Sequence, residues 1–262
     1  MFELQPDRFG AILPLLVDAR QAVVPQAVCE GHQPGRVFAG HAEQPAEAWI
    51  WLPCGYLFLA GEPQEPEPWA AAARLLTETL WPAWQAAGES GLVLVPFSDG
   101  WEAVVAAILQ GQPHERIYRR PFVLEAARFA SLGNPTERVP PGMALRRVNE
   151  ELLARLGAMP TWASTGDFLT KGIGYCLLAG EERASTCTTV FASSTAVEID
   201  VHTAEPFRRQ GLATLTAAAL IADCLRGGRR PNYECFWDNK ASCALAACCC
   251  LAPVADAQGT TL

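Results

Sequence analysis

Short apolar runs bounded by glycine and proline alternate along the chain with stretches in which apolar residues recur every three or four positions. The runs GRVFAG (35–40), EAWIWLP (47–53), GYLFLAG (55–61) and GLVLVPF (91–97) predict strands. WAAAARLLTETLWPAW (69–84) and GWEAVVAAILQ (100–110) predict helices, and IYRRPFVLE (117–125) a further strand. In ASLGNPTERVPPGM (130–143) proline, glycine and polar residues concentrate and both patterns fail. A boundary is expected there, between an N-terminal α/β domain (1–128) and a second domain (129–262).

Past it, NEELLARL (149–156) and STGDFLTKG (164–172) read as helices on either side of a Trp-bearing turn. GYCLLAG (174–180), ASTCTTVFAS (184–193) and AVEIDVHT (196–203) read as strands. From Leu212 the residues Leu212, Leu215, Ala219 and Ala222 repeat at helical spacing in Ala-rich sequence, and Gly227 and Gly228 stop the helix. A strand near PNYECFW (231–237), a helix near NKASCALAACC (239–249) and a polar tail complete the pattern. Three successive strands with short connections imply antiparallel pairing, and strand, helix, strand implies one parallel crossover. The expected class is α/β: a mixed sheet with helices on both faces in the C-terminal half, preceded by a smaller α/β domain. Both halves place strands before a strand–helix–strand unit, which leaves a duplicated ancestry open.

Composition narrows the function. Half of the 262 residues are hydrophobic, which predicts a globular chain. The opening MFELQPDRFG lacks a basic stretch followed by an apolar core, and no apolar run reaches the roughly 18 residues of a membrane span, so a soluble, cytoplasmic protein is expected. A net charge of −8 argues against nucleic acid as a partner. Ten cysteines without any C-x-x-C, beside four scattered histidines, read as reduced, buried thiols rather than a metal site.

One stretch runs against helix grammar. EPFRRQGLAT places Arg208, Arg209 and Gly211 where a helix begins, although a helix N-terminus is the positive end of its dipole and favours Ser, Thr, Asp or Asn. The choice makes sense if an anion sits there, with backbone N–H groups converging on it, Gly211 allowing close approach and the arginines neutralising charge. Solvated loop arginines beside a turn glycine are the plain alternative. No G-x-x-x-x-G-K-[ST] occurs, and KGIGYC lacks the third glycine of a dinucleotide fingerprint.

Arg208, Gly211 and Ala213, following the strand VEIDVHT, resemble the acetyl-CoA signature of the GNAT acyltransferase superfamily. Three ordered blocks, WASTGDFLTKGIGYCLL, VEIDVHTAEPFRRQGLAT and PNYECFWDNKAS, extend the resemblance from about residue 143 onward. They are similar to the bacterial branch that includes a zwittermicin-type resistance acetyltransferase. The resemblance implies that acetyl-CoA is the co-substrate, its pyrophosphate at the helix start and its pantetheine arm along the preceding strand. The residues implied are Val201, Thr203, Arg208, Arg209, Gln210, Gly211, Leu212, Ala213 and Thr214, with Asn239 and Ser242 on the next helix. Ordinary helix capping by Asn239 is the alternative.

Acyl transfer to an amine needs a proton acceptor, and strand alternation puts Glu198, Asp200 and His202 on one face of VEIDVHT. The resemblance singles out Glu198 as the catalytic base. The superfamily often carries a tyrosine seven residues after the asparagine, and here that position is Ala246, while the Gly-Phe that usually follows is also missing. An alkyl thiol has a pKa of about 8.5, so its thiolate can leave with little protonation. Trp162, Asp167 and Phe168 are implied to border the acceptor side, with core packing the plainer role for both aromatics. The expected function is an acetyl-CoA-dependent N-acetyltransferase acting on a small-molecule amine, without nucleic acid, membrane or metal; the alternative is a non-catalytic acyl-CoA-binding or interaction protein.

Overall fold

The computed structural model describes residues 1–16, 22–64, 73–86, 88, 91–157, 159–254 and 257–261. The chain divides into two compact units, Met1–Tyr118 with Ala257–Leu262, and Arg119–Asp256.

In the first unit β1 (Phe2–Glu3), β2 (Arg36–Ala39), β3 (Glu47–Leu52) and β4 (Tyr56–Gly61) pair antiparallel in that order, and β5 (Val93–Pro96) joins β4 in parallel. A parallel pair needs a crossover, whose described part runs helically from Ala73 to Ala86, with Leu75–Leu80 wound as a π-helix. Residues 69–72 of the helix expected at 69–84 lie outside the described residues. Every position of β3 is buried, as in a strand covered on both faces. Its tryptophans belong to an aromatic core that keeps two indole donors satisfied: Trp84 Nε1 donates to Leu52 O at 3.2 Å and Trp101 Nε1 to Gly61 O at 2.9 Å. The 3-10 helix Pro6–Leu15 and the helix Val23–Cys29 had no counterpart in the hydrophobic pattern.

The chain passes into the second unit within β6 (Glu115–Leu124). After β7 (Met143–Arg147) and the helices Glu150–Leu156 and Thr165–Lys171 come β8 (Gly174–Ala179), β9 (Glu182–Ala192) and β10 (Ala196–Thr203), then the helix Leu212–Arg226 and β11 (Arg230–Phe236). The strand order is β6-β11-β10-β9-β8-β7. β8, β9 and β10 pair antiparallel, and β10 and β11 are parallel across the Leu212 helix, as the connection lengths required. The fold class is α/β with a mixed sheet, as expected.

The two faces of this sheet are covered by different helices. Tyr175 OH bonds Asp223 at 3.2 Å and Ser185 Oγ meets Thr216 at 3.3 Å, which seats the Leu212 helix on the face of Tyr175 and Ser185. On the opposite pleat a Cβ added to Gly174 would sit 3.1 Å from Phe168, so this glycine lets the helix Thr165–Lys171 close onto the strand.

The polar tail needs correction. Leu251–Pro253 forms β12 against β6, and Ala257–Thr261 forms β13, which pairs β5 through Thr260 opposite Leu94 and belongs to the first unit. Residues 255, 256 and 262 of that tail lie outside the described residues.

Candidate acyl-transfer site

β10 and β11 begin side by side and then part. Their ladder runs from Ala196 opposite Arg230 to Glu198 opposite Asn232. From Tyr233 onward β11 pairs β6, and from Ile199 onward β10 keeps β9 alone. Among the described residues the outer edge of β10 from Ile199 to Thr203, which includes Val201, has no ladder partner. Unpaired strand edges present backbone groups to which an extended amide-bearing chain can bond. A β-bulge in β9 opposite the Glu198/Ile199 step adds local twist at the point of parting.

The open edge leads directly into the cationic turn. Arg208, Arg209, Gln210 and Gly211 are exposed, while Leu212 is buried under the helix it starts. Gly211 is the N-cap with φ 75° and no side-chain cap, and a Cβ there would meet nothing within 4 Å. Arg209 also takes a left-handed φ of 62°. Among the described residues no hydrogen bond uses the N–H of Arg209, Gln210 or Gly211. Left-handed residues on either side of Gln210, among unused donors, form a concavity suited to an anion. Arg208 Nε donates to Thr203 O at 3.1 Å and Gln210 Nε2 to Pro206 O at 3.2 Å, so both side chains fold back over the turn. The Thr203 hydroxyl meets Ser185 Oγ at 3.0 Å, and Ala213 and Thr214 lie half-buried in the first turn of the helix.

Glu198 sits at the vertex. It shares its face of β10 with Asp200 and His202, as alternation required, but the three differ in depth: Glu198 is only 8% exposed, and the other two are open to solvent. Asn232, its partner across the ladder, donates its side-chain amide to the Glu198 carboxyl. Burial first, and the Glu234 carboxylate next, push Glu198 up to about 8, against the Asn232 hydrogen bond and the Arg119 and Arg230 guanidiniums, which pull it down. Glu234 is itself paired to Arg119 at 3.2 Å, and Arg119 lies over the exposed Phe236 ring at 4.8 Å.

Sequence reasoning missed Asn232, Glu234 and Arg119. The register of a parallel β10–β11 pair would have found the first two, because residues on the same pleat as Glu198 fall every second position along PNYECF.

Asn239 caps its helix, its Oδ1 accepting from Ser242 N at 3.0 Å, and Ser242 is half-buried in the first turn. Ala246 is fully buried in the core of the unit. Trp162 and Phe168 meet edge to face at 5.6 Å and are buried in the same core, with Trp162 Nε1 donating to Thr189 O at 3.0 Å. Asp167 is a first-turn acid: Ser164 caps the helix through Asp167 N, and Ser164 and then Lys171 hold the Asp167 carboxyl below its ordinary range. Among the described residues no three His, Cys, Asp or Glu are arranged to hold a metal, and no helix is long and apolar enough to cross a membrane.

The family model described as GNAT acetyltransferase matches residues 13–248. The chain belongs to this family and is an N-acetyltransferase of the GNAT type. Over 251 residues it is 26% identical to an uncharacterized N-acetyltransferase, YdfB, of Bacillus subtilis (strain 168), covering 94% of this chain and 92% of that one. Its fold is similar to that of a GCN5-related N-acetyltransferase-like protein from Streptococcus suis 89/1591, with TM-score 0.73, 19% identity and 97% and 98% of the two chains covered. It is also similar to a tandem GNAT protein from the clavulanic acid biosynthesis pathway, with TM-score 0.56, 14% identity and 100% and 97% coverage.

Proposed function

We propose that this chain transfers the acetyl group of acetyl-CoA to an amine of a small molecule, and that residues 129–262 carry the chemistry. The observation that carries the reading is the parting of β10 from β11, which leaves an unpaired strand edge running from Glu198 to the Arg208–Gly211 turn. Each part suits a part of the co-substrate. The turn offers free N–H groups and arginines to a pyrophosphate, and the β10 edge at Val201 and Thr203 offers amide partners to a pantetheine arm. The helix capped by Asn239, with Ser242 in its first turn, borders the same arm. Open space where Gly211 would carry a Cβ supports the fit, since a phosphate can approach the main chain there.

The role of Glu198 follows from its place at the vertex. As the acceptor nitrogen bonds to the thioester carbonyl carbon, the Glu198 carboxylate takes its proton, the C–S bond breaks, and CoA departs as the thiolate, which takes up a proton from solvent. Because Glu198 ionises only near pH 8, the base form grows as pH rises through that value. With Ala246 buried and without a polar group, thiolate departure relies on the low basicity of an alkyl thiolate and on solvent. The resemblance of the three sequence blocks to the branch with a zwittermicin-type resistance enzyme supports a small-molecule acceptor, met in the cytoplasm.

Calorimetry tests the co-substrate assignment. Acetyl-CoA should bind the parent chain, while Gly211→Val and Arg208→Glu should each weaken it about tenfold or more, by blocking approach to the turn and by repelling the phosphates. No binding by the parent, or unchanged affinity in both variants, would overturn the assignment.

A further inference from the structure

All ten cysteines are free thiols, and the chemistry above uses none of them. Two stand apart by geometry. Cys235 on β11 and Cys243 on the helix Lys240–Cys248 bring their sulfurs to 3.8 Å. A disulfide is about 2.0 Å long, so less than about 2 Å of approach separates contact from a bond. The pair is also asymmetric in access: Cys235 is buried, and Cys243 is half-buried and reachable from solvent.

We propose that Cys235 and Cys243 form a dithiol that hydrogen peroxide oxidises to a disulfide, a redox modification site joining β11 to the helix that carries Asn239 and Ser242. The order of events follows from access. The Cys243 thiolate attacks a peroxide oxygen, the O–O bond breaks, and Cys243 becomes a sulfenic acid with release of water. The Cys235 sulfur then attacks the Cys243 sulfur, the S–S bond forms, and hydroxide leaves and takes up the Cys235 proton as a second water. Two thiols lose two electrons and two protons, and one peroxide becomes two waters. Burial, and next the neighbouring Cys243, push the Cys235 thiol up to about 11, which keeps it from reacting with peroxide itself; it resolves through its small thiolate fraction, which the fold holds against the Cys243 sulfur.

The test uses the full reduced chain treated with hydrogen peroxide, alkylated, and digested without reduction; cleavage after Lys240 separates the two cysteines. The expected product is a peptide pair linked through Cys235 and Cys243 that dithiothreitol releases. It should form about 10²-fold faster in folded protein than in urea, since the fold supplies the proximity. Cys243→Ser and Cys235→Ser should each abolish this link and Cys248→Ser should keep it. The proposal is overturned if both thiols remain alkylatable after the folded parent is oxidised, or if the link forms as fast in urea. Neither result bears on acetyl-CoA binding, which calorimetry on the reduced chain reads separately.

Discussion

Replacing Glu198 with Gln should make the second unit more stable as pH rises, relative to the parent chain. In the unfolded chain Glu198 titrates near its ordinary value of 4.5; in the fold it titrates at about 8, because burial and Glu234 oppose its charge. Between those values the folded state holds a proton that the unfolded state has lost, so the slope of unfolding free energy against pH is negative. The neutral carboxyl's contribution is fully present below pH 4.5 and is lost as pH rises through about 8. Each pH unit inside this window is worth about 1.4 kcal/mol, and the whole window about 5 kcal/mol as a ceiling. Gln keeps the shape and can still accept from Asn232, but has no proton to lose. The stability difference, Gln variant minus parent, should therefore grow by about 1.4 kcal/mol per unit between pH 5.5 and 7.5. Native-state hydrogen exchange of amides on β9 and β10 reads this unit alone, and taking the difference at equal pH cancels intrinsic exchange and every group the two proteins share. A difference constant from pH 5.5 to 8.5 would refute the raised ionisation of Glu198.

Three further outcomes follow from the same structure. Asn232→Ala removes the hydrogen bond that holds Glu198 down, so its ionisation should move above about 8, readable in the carboxyl infrared band as a function of pH. Asn239→Ala removes a helix cap and should lower stability by about 1 kcal/mol in urea denaturation, while Asn239→Ser should recover most of it. Phe168→Ala empties a buried site against Trp162 and Gly174 and should cost about 3–5 kcal/mol in the same assay; a loss under about 1 kcal/mol would contradict the packing described.

Much of the second unit was legible because its strands are short apolar or alternating runs, β8 closed by Gly180 and β11 opened at Pro231, and its long helix has both a periodic apolar face and a stop. The start of that helix was legible for a different reason: two arginines and a glycine there are costly for a helix and useful for an anion, and the structure finds Gly211 left-handed and uncapped. Depth was not legible. Alternation assigned Glu198, Asp200 and His202 to one face, but only packing decides that Glu198 alone is buried, and that difference sets its ionisation. The tail strand AQGTT was missed because backbone pairing with β5, not an apolar face, makes it a strand. The helix VVPQAVC was missed because two valines and a proline read as extended; Pro25 is tolerated since it stands in the first turn, where its missing N–H costs nothing. Asn239 shows how two readings can share a residue: its side-chain oxygen caps the helix, which leaves the amide nitrogen as a donor at the border of the candidate site.

The most direct measurement of the central claim is amine-dependent release of CoA thiol from acetyl-CoA, followed as kcat/KM from pH 6 to 9.5 over a panel of small amines. The account predicts release with at least one amine. The rate should rise with pH through an apparent pKa of about 8 and be lowered about 10²-fold or more in Glu198→Gln, with acetyl-CoA affinity unchanged. A rate that rises with pH equally in parent and variant would contradict Glu198 as the base. Absence of release across the panel from a chain that binds acetyl-CoA well would contradict acetyl transfer to a small amine.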